Sequence, residues 1–310
     1  MSVHKEFSKA SIVITGLARD VSNVIEQEVL HLKDAFSDFE KVSFFIVESD
    51  SSDSTVEKLR MLASRVDNFR FLSLGVLQEQ IPERIARLAH CRQICADFVV
   101  TQDFDYVAVS DLDGTNSLLT KDAVRSCWLQ DNWDVCLANQ KGPYYDIYAL
   151  RHDEWCKQDY GQEIAFLENK GMHPMKARRE AVLKKQRKIP PNSSWIEVDS
   201  AFGGLAIYTA KSFSVGKYDS IESNTGKTIC EHVTFHKRIR NAGGRLFINP
   251  KLINHEVKRH KSVLGYLRYY GQYTLSLISP RLFRYWEQSR STSSNFQILT
   301  DLLTRNVWRN

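Results

Sequence analysis

No stretch of this 310-residue chain approaches the ~20 consecutive apolar residues of a membrane-spanning helix. Residues 1–10 are polar and charged, without the apolar core of a secretory leader. The expectation is a cytoplasmic protein, or a fragment trimmed of an anchor. Six cysteines (Cys91, Cys95, Cys127, Cys136, Cys156 and Cys230) fall into neither a disulfide nor a metal spacing, which suits reduced thiols in packing positions. The excess of one sign of charge is small: a net +5 is too mild for a dedicated nucleic-acid binder. The 43% hydrophobic and 25% charged content is that of an ordinary globular protein. The length allows one large α/β domain with an elaborated end.

Strands and helices alternate along the chain. Residues 11–17 are a β-branched run that predicts a strand, and 42–47, 69–74 and 105–110 predict three more. Apolar residues keep helical spacing over 23–36 and 56–66, and 82–100 predicts an arginine-rich helix. A helix at 122–131, a strand at 135–139, a glycine-containing strand across 198–208, a helix at 230–241 and a strand at 245–248 continue the series. Such alternation implies an α/β fold with a mostly parallel sheet and helices on both faces. The main domain is expected over 1–256, with a mobile basic insertion, helical in part, at about 171–195. A helical, basic and aromatic extension is expected over 257–310.

Asp111-Leu-Asp113-Gly-Thr follows the strand at 105–110. Alternation points both carboxylates to one side of an extended segment. Two anions so placed suit a hard divalent cation between them, Mn2+ or Mg2+. Open α/β sheets bind ligands at strand ends, so the pair reads as a metal site for a phosphorylated ligand. In sugar-nucleotide transferases, Asp-x-Asp holds the metal on the donor diphosphate. In haloacid-dehalogenase-like phosphatases, Asp-x-Asp-Gly-Thr supplies a nucleophile and an acid. The inert alternative is a solvated turn, since Asp, Gly, Thr and Asn all form turns. The phosphatase mechanism needs the motif after the first strand and a second acidic pair, yet no Asp-Asp or Gly-Asp-x-x-x-Asp occurs here.

The acidic string from Glu48 through Asp53 to Thr55 resembles the one that ends the second strand of GT-A glycosyltransferases. Arg84, Arg87 and Arg92 resemble the arginine helix that precedes Asp-x-Asp in that fold. Their shared helical face suits phosphate, or is simply solvated. Across roughly 11–256, Asp146-Ile-Tyr-Ala-Leu-Arg151-His-Asp153, the 202–208 strand, Cys230-Glu231-His232 and Asn249-Pro250 are distantly similar to the cryptococcal capsule α-1,3-mannosyltransferase family.

This resemblance implies a GT-A (Rossmann-like) fold and a metal-dependent glycosyltransferase. The enzyme would move a sugar from a UDP- or GDP-sugar to a hydroxyl of a glycan or lipid-linked acceptor. A bacterial enzyme of capsule or lipopolysaccharide synthesis fits, leaning to retention of configuration. Thr15, Ala18, Arg19, Glu48 and Asp53 are then expected around the nucleoside, and Arg84, Arg87 or Arg92 on the diphosphate. Asp111, Asp113 and His255 are expected on the metal, with His255 alternatively a packing imidazole. Asp113 and Glu231 are assigned to catalysis. Glu231 is the general base if the enzyme inverts, a donor or acceptor contact if it retains, and otherwise a partner for the helix dipole. An inactive sugar-binding scaffold is the third reading, against which the paired carboxylates argue.

Lys176, Arg178, Arg179, Lys184, Lys185, Arg187 and Lys188 face one acid, Glu180, within 173–195. The cluster suggests an anionic partner such as a phosphate or a lipid surface, with a solvated helix face as the alternative. The aromatic stretch 263–286 reads as an interfacial membrane helix or a packing or dimer helix. Peripheral association with the inner face of a membrane is expected through it.

Overall fold

In the computed structural model, which describes residues 4–223 and 225–257, the apolar runs of the first half form four parallel strands. These are β1 (Ser11–Ala18), β2 (Lys41–Glu48), β3 (Phe69–Ser73) and β4 (Tyr106–Asp111). Between them lie α1 (Ile25–Ala35), α2 (Thr55–Arg65) and α3 (Arg84–Val100). The second half adds α4 (Lys121–Arg125), β5 (Val135–Lys141), α5 (Tyr160–Asn169), α6 (Pro174–Ala181) and β6 (Ile196–Val198). It ends with β7 (Leu205–Thr209), α7 (Ala210–Phe213), α8 (Glu231–Asn241) and β8 (Leu246–Glu256). One sheet results, in the order β3-β2-β1-β4-β7-β5-β8-β6. β7 runs antiparallel to β4 and β5, and β6 antiparallel to β8.

The central strands read as unbroken apolar runs because both faces of the sheet are covered. Successive residues alternate between the layers. Val13, Val47, Val107 and Val109 pack with Cys95 and Val99 of α3 and Val233 and Ile239 of α8. Ile12, Ile14, Ile46 and Ala108 pack with Ile25 and Val29 of α1 and Leu59 and Leu62 of α2. Full burial of each larger aliphatic side chain contributes roughly 1.5–3 kcal/mol. The mostly parallel α/β sheet expected from the sequence is therefore present.

Three elements differ from expectation. The stretch 198–208 is not one strand: Val198 ends β6 at the sheet edge, and Leu205 begins β7 between β4 and β5. The chain turns between them through Gly203 (φ +69°) and Gly204 (φ +87°), conformations that L side chains rarely adopt. β8 does not stop at Pro250; it continues to Glu256, with register shifts against β5 that leave Asn139 Nδ2 donating to the Pro250 carbonyl (2.9 Å). The helix read at 122–131 splits into α4 and a 3-10 turn, Ser126–Leu129. The basic insertion holds α6, started by His173 Nδ1 accepting from the Met175 N–H and by Pro174 in its first turn. α5, ahead of it, was not legible as a helix. The extension expected from 257 onward lies outside the described residues after Val257.

Register sets up the site. Leu17 lies opposite Asp111, and Ala18 opposite Glu48, so the carboxyl ends of β1, β2 and β4 share one edge.

Candidate active site

A cleft of about 450 Å³ opens at that edge. It brings together Ala18, Arg19, Arg84, Arg87, Arg92, Asp111, Asp113 and Glu231 from separate parts of the sequence. Asp111 ends β4, and its N–H donates to the Gly204 carbonyl (2.9 Å). Asp113 is exposed on the turn beyond and accepts from the Thr115 hydroxyl. Asn116 closes the turn: its Nδ2 reaches Glu28 Oε1 (2.6 Å), Ser110 Oγ (3.0 Å) and the Asp111 carbonyl (2.9 Å). The paired carboxylates thus stand on a turn tied to α1 and β4.

The floor of the cleft is an ion triad. Arg92 donates from Nη2 to Asp111 Oδ1 and from Nε to Glu231 Oε1, both at 3.1 Å. Burial works against the Arg92 charge, but Glu231 and Asp111 outweigh it and raise its pKa further. Burial lifts the Asp111 carboxyl to about 7 against the pull of Arg92, with Asp113 and Asp146 adding to the rise. The Asp111 side chain is 34% exposed, so this is burial by depth in the cleft, with one face left open to it.

The arginines do not present one common face. Arg92 is enclosed in the triad. Arg87 Nη1 donates to the carbonyls of Ile81 and Pro82 (2.8 Å each), and its Nε lies 3.5 Å from Asp50 Oδ2. Of the three α3 arginines, Arg84 is the one exposed at the rim. The cause is depth: Arg92 sits more than two helical turns below the rim, where the packing against α8 covers it.

Three residues expected around a nucleoside lie outside the cleft lining. Thr15 is buried within β1, its hydroxyl donating to the Ala108 carbonyl (3.4 Å). Glu48 is buried beneath the following loop, where it accepts from the Ser73 hydroxyl and the Ser51 N–H. Asp53 holds the start of α2, accepting from the Thr55 N–H (3.0 Å) and the Ser22 N–H (3.1 Å). Asp50 of this loop borders the cleft, but its side chain is only 2% exposed and its carboxylate is turned into the protein. It adopts φ +60° and accepts at Oδ1 from the N–H groups of Leu77 (2.7 Å) and Gln78 (2.8 Å). The string of Ser and Asp residues does not specify this left-handed backbone at Asp50.

Asp146, Tyr145, Tyr148, Phe202 and His232 complete the wall. Asp146 accepts from the N–H groups of Gly203 (3.0 Å) and Ala149 (3.2 Å), and burial raises its pKa against them. His232 is 3% exposed, stacks on Phe202 at 3.9 Å, and has both ring nitrogens without a hydrogen-bond partner. Burial holds it neutral, well below the usual imidazole range.

His255, near the end of β8, is half-buried with its ring 5.4 Å from that of Tyr145, and its Nδ1 has no hydrogen-bond partner. Burial lowers its pKa while the Asp113 carboxylate pulls the other way. Among the described residues no three His, Cys, Asp or Glu side chains form a ready metal cage. Mg2+-type ions are usually held by one or two carboxylates together with substrate phosphates. An exposed Asp113 and an Asp111 with one open face fit such a shared shell, while His255 is not among the residues lining the cleft.

No family model matches the sequence, and no curated protein matches it. Among solved structures, the chain is similar to a mannosyltransferase from Pyrobaculum calidifontis in complex with GDP-Man and Mn2+. That similarity has a TM-score of 0.47 and 13% identity over 86% of this chain and 63% of that one. It is also similar to S. aureus TarS 1-349 (0.44, 12%, 80% and 60%). A third is glucosyl-3-phosphoglycerate synthase from Mycobacterium tuberculosis in complex with uridine-diphosphate (0.36, 12%, 87% and 79%). The chain thus spans 63% and 60% of the first two.

Proposed function

We propose that this chain is a metal-dependent glycosyltransferase of the GT-A type. It moves a hexose, mannose among the candidates, from a UDP- or GDP-sugar to a hydroxyl of a glycan or lipid-linked acceptor. Bacterial surface-polysaccharide synthesis with retention of configuration is the role we assign. The observation that carries this reading is the convergence of Asp111, Asp113, Arg92 and Glu231 on one cleft at the carboxyl edge of a mostly parallel sheet, where such sheets bind ligands.

In this reading Asp113, Asp111 and His255 hold Mn2+ or Mg2+, which when bound offsets charge on the departing diphosphate. Ala18 and Arg19 border the nucleoside. Arg84 donates to the diphosphate from the rim. Arg92 keeps Asp111 and Glu231 in place instead of binding phosphate, and Glu231 accepts from a hydroxyl of the donor or acceptor.

The test is thermal stability with Mn2+ across UDP-, GDP-, CMP- and dTDP-sugars, beside EDTA controls and Asp113→Ala. A ligand that binds only the folded chain raises the midpoint by mass action. One nucleotide class should do so only with metal, and Asp113→Ala should abolish the shift. No shift with any donor, together with Mg2+-dependent release of phosphate from a monoester, would favour the phosphatase. Metal-dependent binding without transfer to any acceptor would leave the scaffold.

A further inference from the structure

While residues 258–310 carry nine Lys and Arg against two carboxylates, residues 160–188, which add α5 to most of the basic insertion, carry eight against three, Glu163, Glu168 and Glu180, a net +5. Two of those acids are already matched, Glu163 by Lys185 and Glu180 by Lys184. Lys170, Lys176, Arg179, Arg187 and Lys188 are exposed.

The same insertion presents apolar side chains to solvent. α5 carries Ile164, Phe166 and Leu167 yet has no buried residue. By contrast α1, α2, α3, α6 and α8 each bury part of a face. Phe166 is 53% exposed and Leu183, just beyond α6, is 42% exposed. The Lys170 ammonium lies 4.5 Å over the Phe166 ring, a cation and an apolar group side by side at the surface.

We infer that the α5–α6 insertion is a docking surface for an anionic phospholipid bilayer. Positive charge alone would suit any polyanion. Phe166 and Leu183 place exposed apolar area beside that charge, and a bilayer supplies an apolar phase directly beneath an anionic layer. Phe166 and Leu183 enter the headgroup boundary, lysine and arginine stems lie along it, and their charges meet the lipid phosphates. The insertion is fastened to the cleft wall. Gln186 Nε2 donates to the Tyr145 carbonyl (3.4 Å), the Tyr144 N–H to the Arg187 carbonyl (2.8 Å), and Pro143 bridges to Lys188. Adsorption therefore brings the Tyr145 side of the cleft next to the lipid. The inference stands on the insertion alone, whatever reaction the cleft performs.

The test is co-sedimentation of the full chain with vesicles of phosphatidylcholine, with and without phosphatidylglycerol. Binding is expected only with the anionic lipid, falling as salt rises. Phe166→Ser/Leu183→Ser and Lys176→Glu/Arg179→Glu should each reduce the bound fraction on the order of tenfold. All four residues are surface groups, so the thermal midpoint should stay near that of the parent chain. Equal binding to both vesicle types, or no binding, overturns the inference. Anionic binding that both variants retain assigns the contact to residues 258–310 and overturns it as well. So does a dimer that Phe166→Ser/Leu183→Ser converts to monomer without any vesicle binding, since a second copy then covers α5.

Discussion

Arg92 Nε sits 3.1 Å from Glu231 Oε1, joining α3 to α8 across 139 positions of sequence. Both side chains are nearly closed to solvent, at 7% and 5% exposure. The same guanidinium holds Asp111, so one cation neutralises two carboxylates contributed by different elements. Such a pair adds little net stability over an apolar one, but removing a single member strands a buried charge.

Arg92→Ala should therefore lower unfolding free energy by about 3–5 kcal/mol. Adding Glu231→Gln should restore part of the loss, because it removes one of the stranded charges. A double-mutant cycle read by urea denaturation checks this. Strict additivity of the two substitutions would show that the contact carries no coupling.

Acid sensitivity should come from buried histidines. His236 is fully buried between Ser200 Oγ (3.0 Å) and the Tyr208 hydroxyl (2.8 Å), and burial lowers its pKa to about 3. Unfolded imidazole titrates near 6.5. Between those values the unfolded chain binds a proton that the folded chain refuses, so stability falls as pH falls, by about 1.4 kcal/mol per pH unit. Buried His232 adds to this in the same direction. Unfolding free energies at pH 7 and pH 5 should show a smaller loss in His236→Gln than in the parent. An unchanged slope would mean that His236 is not the titrating group.

Much of this architecture was legible in the sequence, for identifiable reasons. The β-branched runs of β1, β2 and β4 are buried on both faces, so their strand signal is strong and short-range. Asp111 and Asp113 were readable because they close such a run. Other features depended on geometry at longer range. Thr15 looks like a strand-end polar residue, but β1 extends three residues beyond it. Glu48 and Asp53 spend their carboxylates on the protein's own N–H and hydroxyl groups, and the positive φ of Asp50 is not specified by the string of Ser and Asp residues. From its helix alone Arg92 reads as a phosphate donor, and its contact with Glu231 depends on the packing of α8 against α3.

Asp53 gives a prediction that separates structure from binding. Burial works to raise its pKa, but hydrogen bonds from Thr55 and Ser22 outweigh it and bring it to about 2. A depressed carboxylate contributes stability above its unfolded pKa, and that contribution is lost as pH falls through the folded value. Asp53→Ala should cost roughly 0.5–2 kcal/mol at neutral pH, as a lost helix-start contact does. It should leave the metal-dependent nucleotide-sugar shift unchanged, since Asp53 is not in the cleft wall. Titrations of the parent and the variant with the same donor decide; a weakened donor affinity would return Asp53 to the nucleoside pocket.

Gly204 gives the sharpest test of the turn that carries Asp111 and Asp113. Its φ of +87° already disfavours a side chain, and a Cβ would lie 2.5 Å from Thr115 Cγ2 and 3.1 Å from Asn254 Nδ2. Its carbonyl receives the Asp111 N–H (2.9 Å), so any shift to relieve the clash moves the end of β4. Gly204→Ala should lower stability by about 1–3 kcal/mol through backbone strain. At temperatures where the variant is still folded, the stabilisation by Mn2+ and nucleotide-sugar should also disappear, because the carboxylates no longer face the cleft together. Thermal melts with and without both ligands measure the two effects separately. A variant that loses stability yet keeps the full ligand shift would show that the 111–115 turn holds its geometry without Gly204.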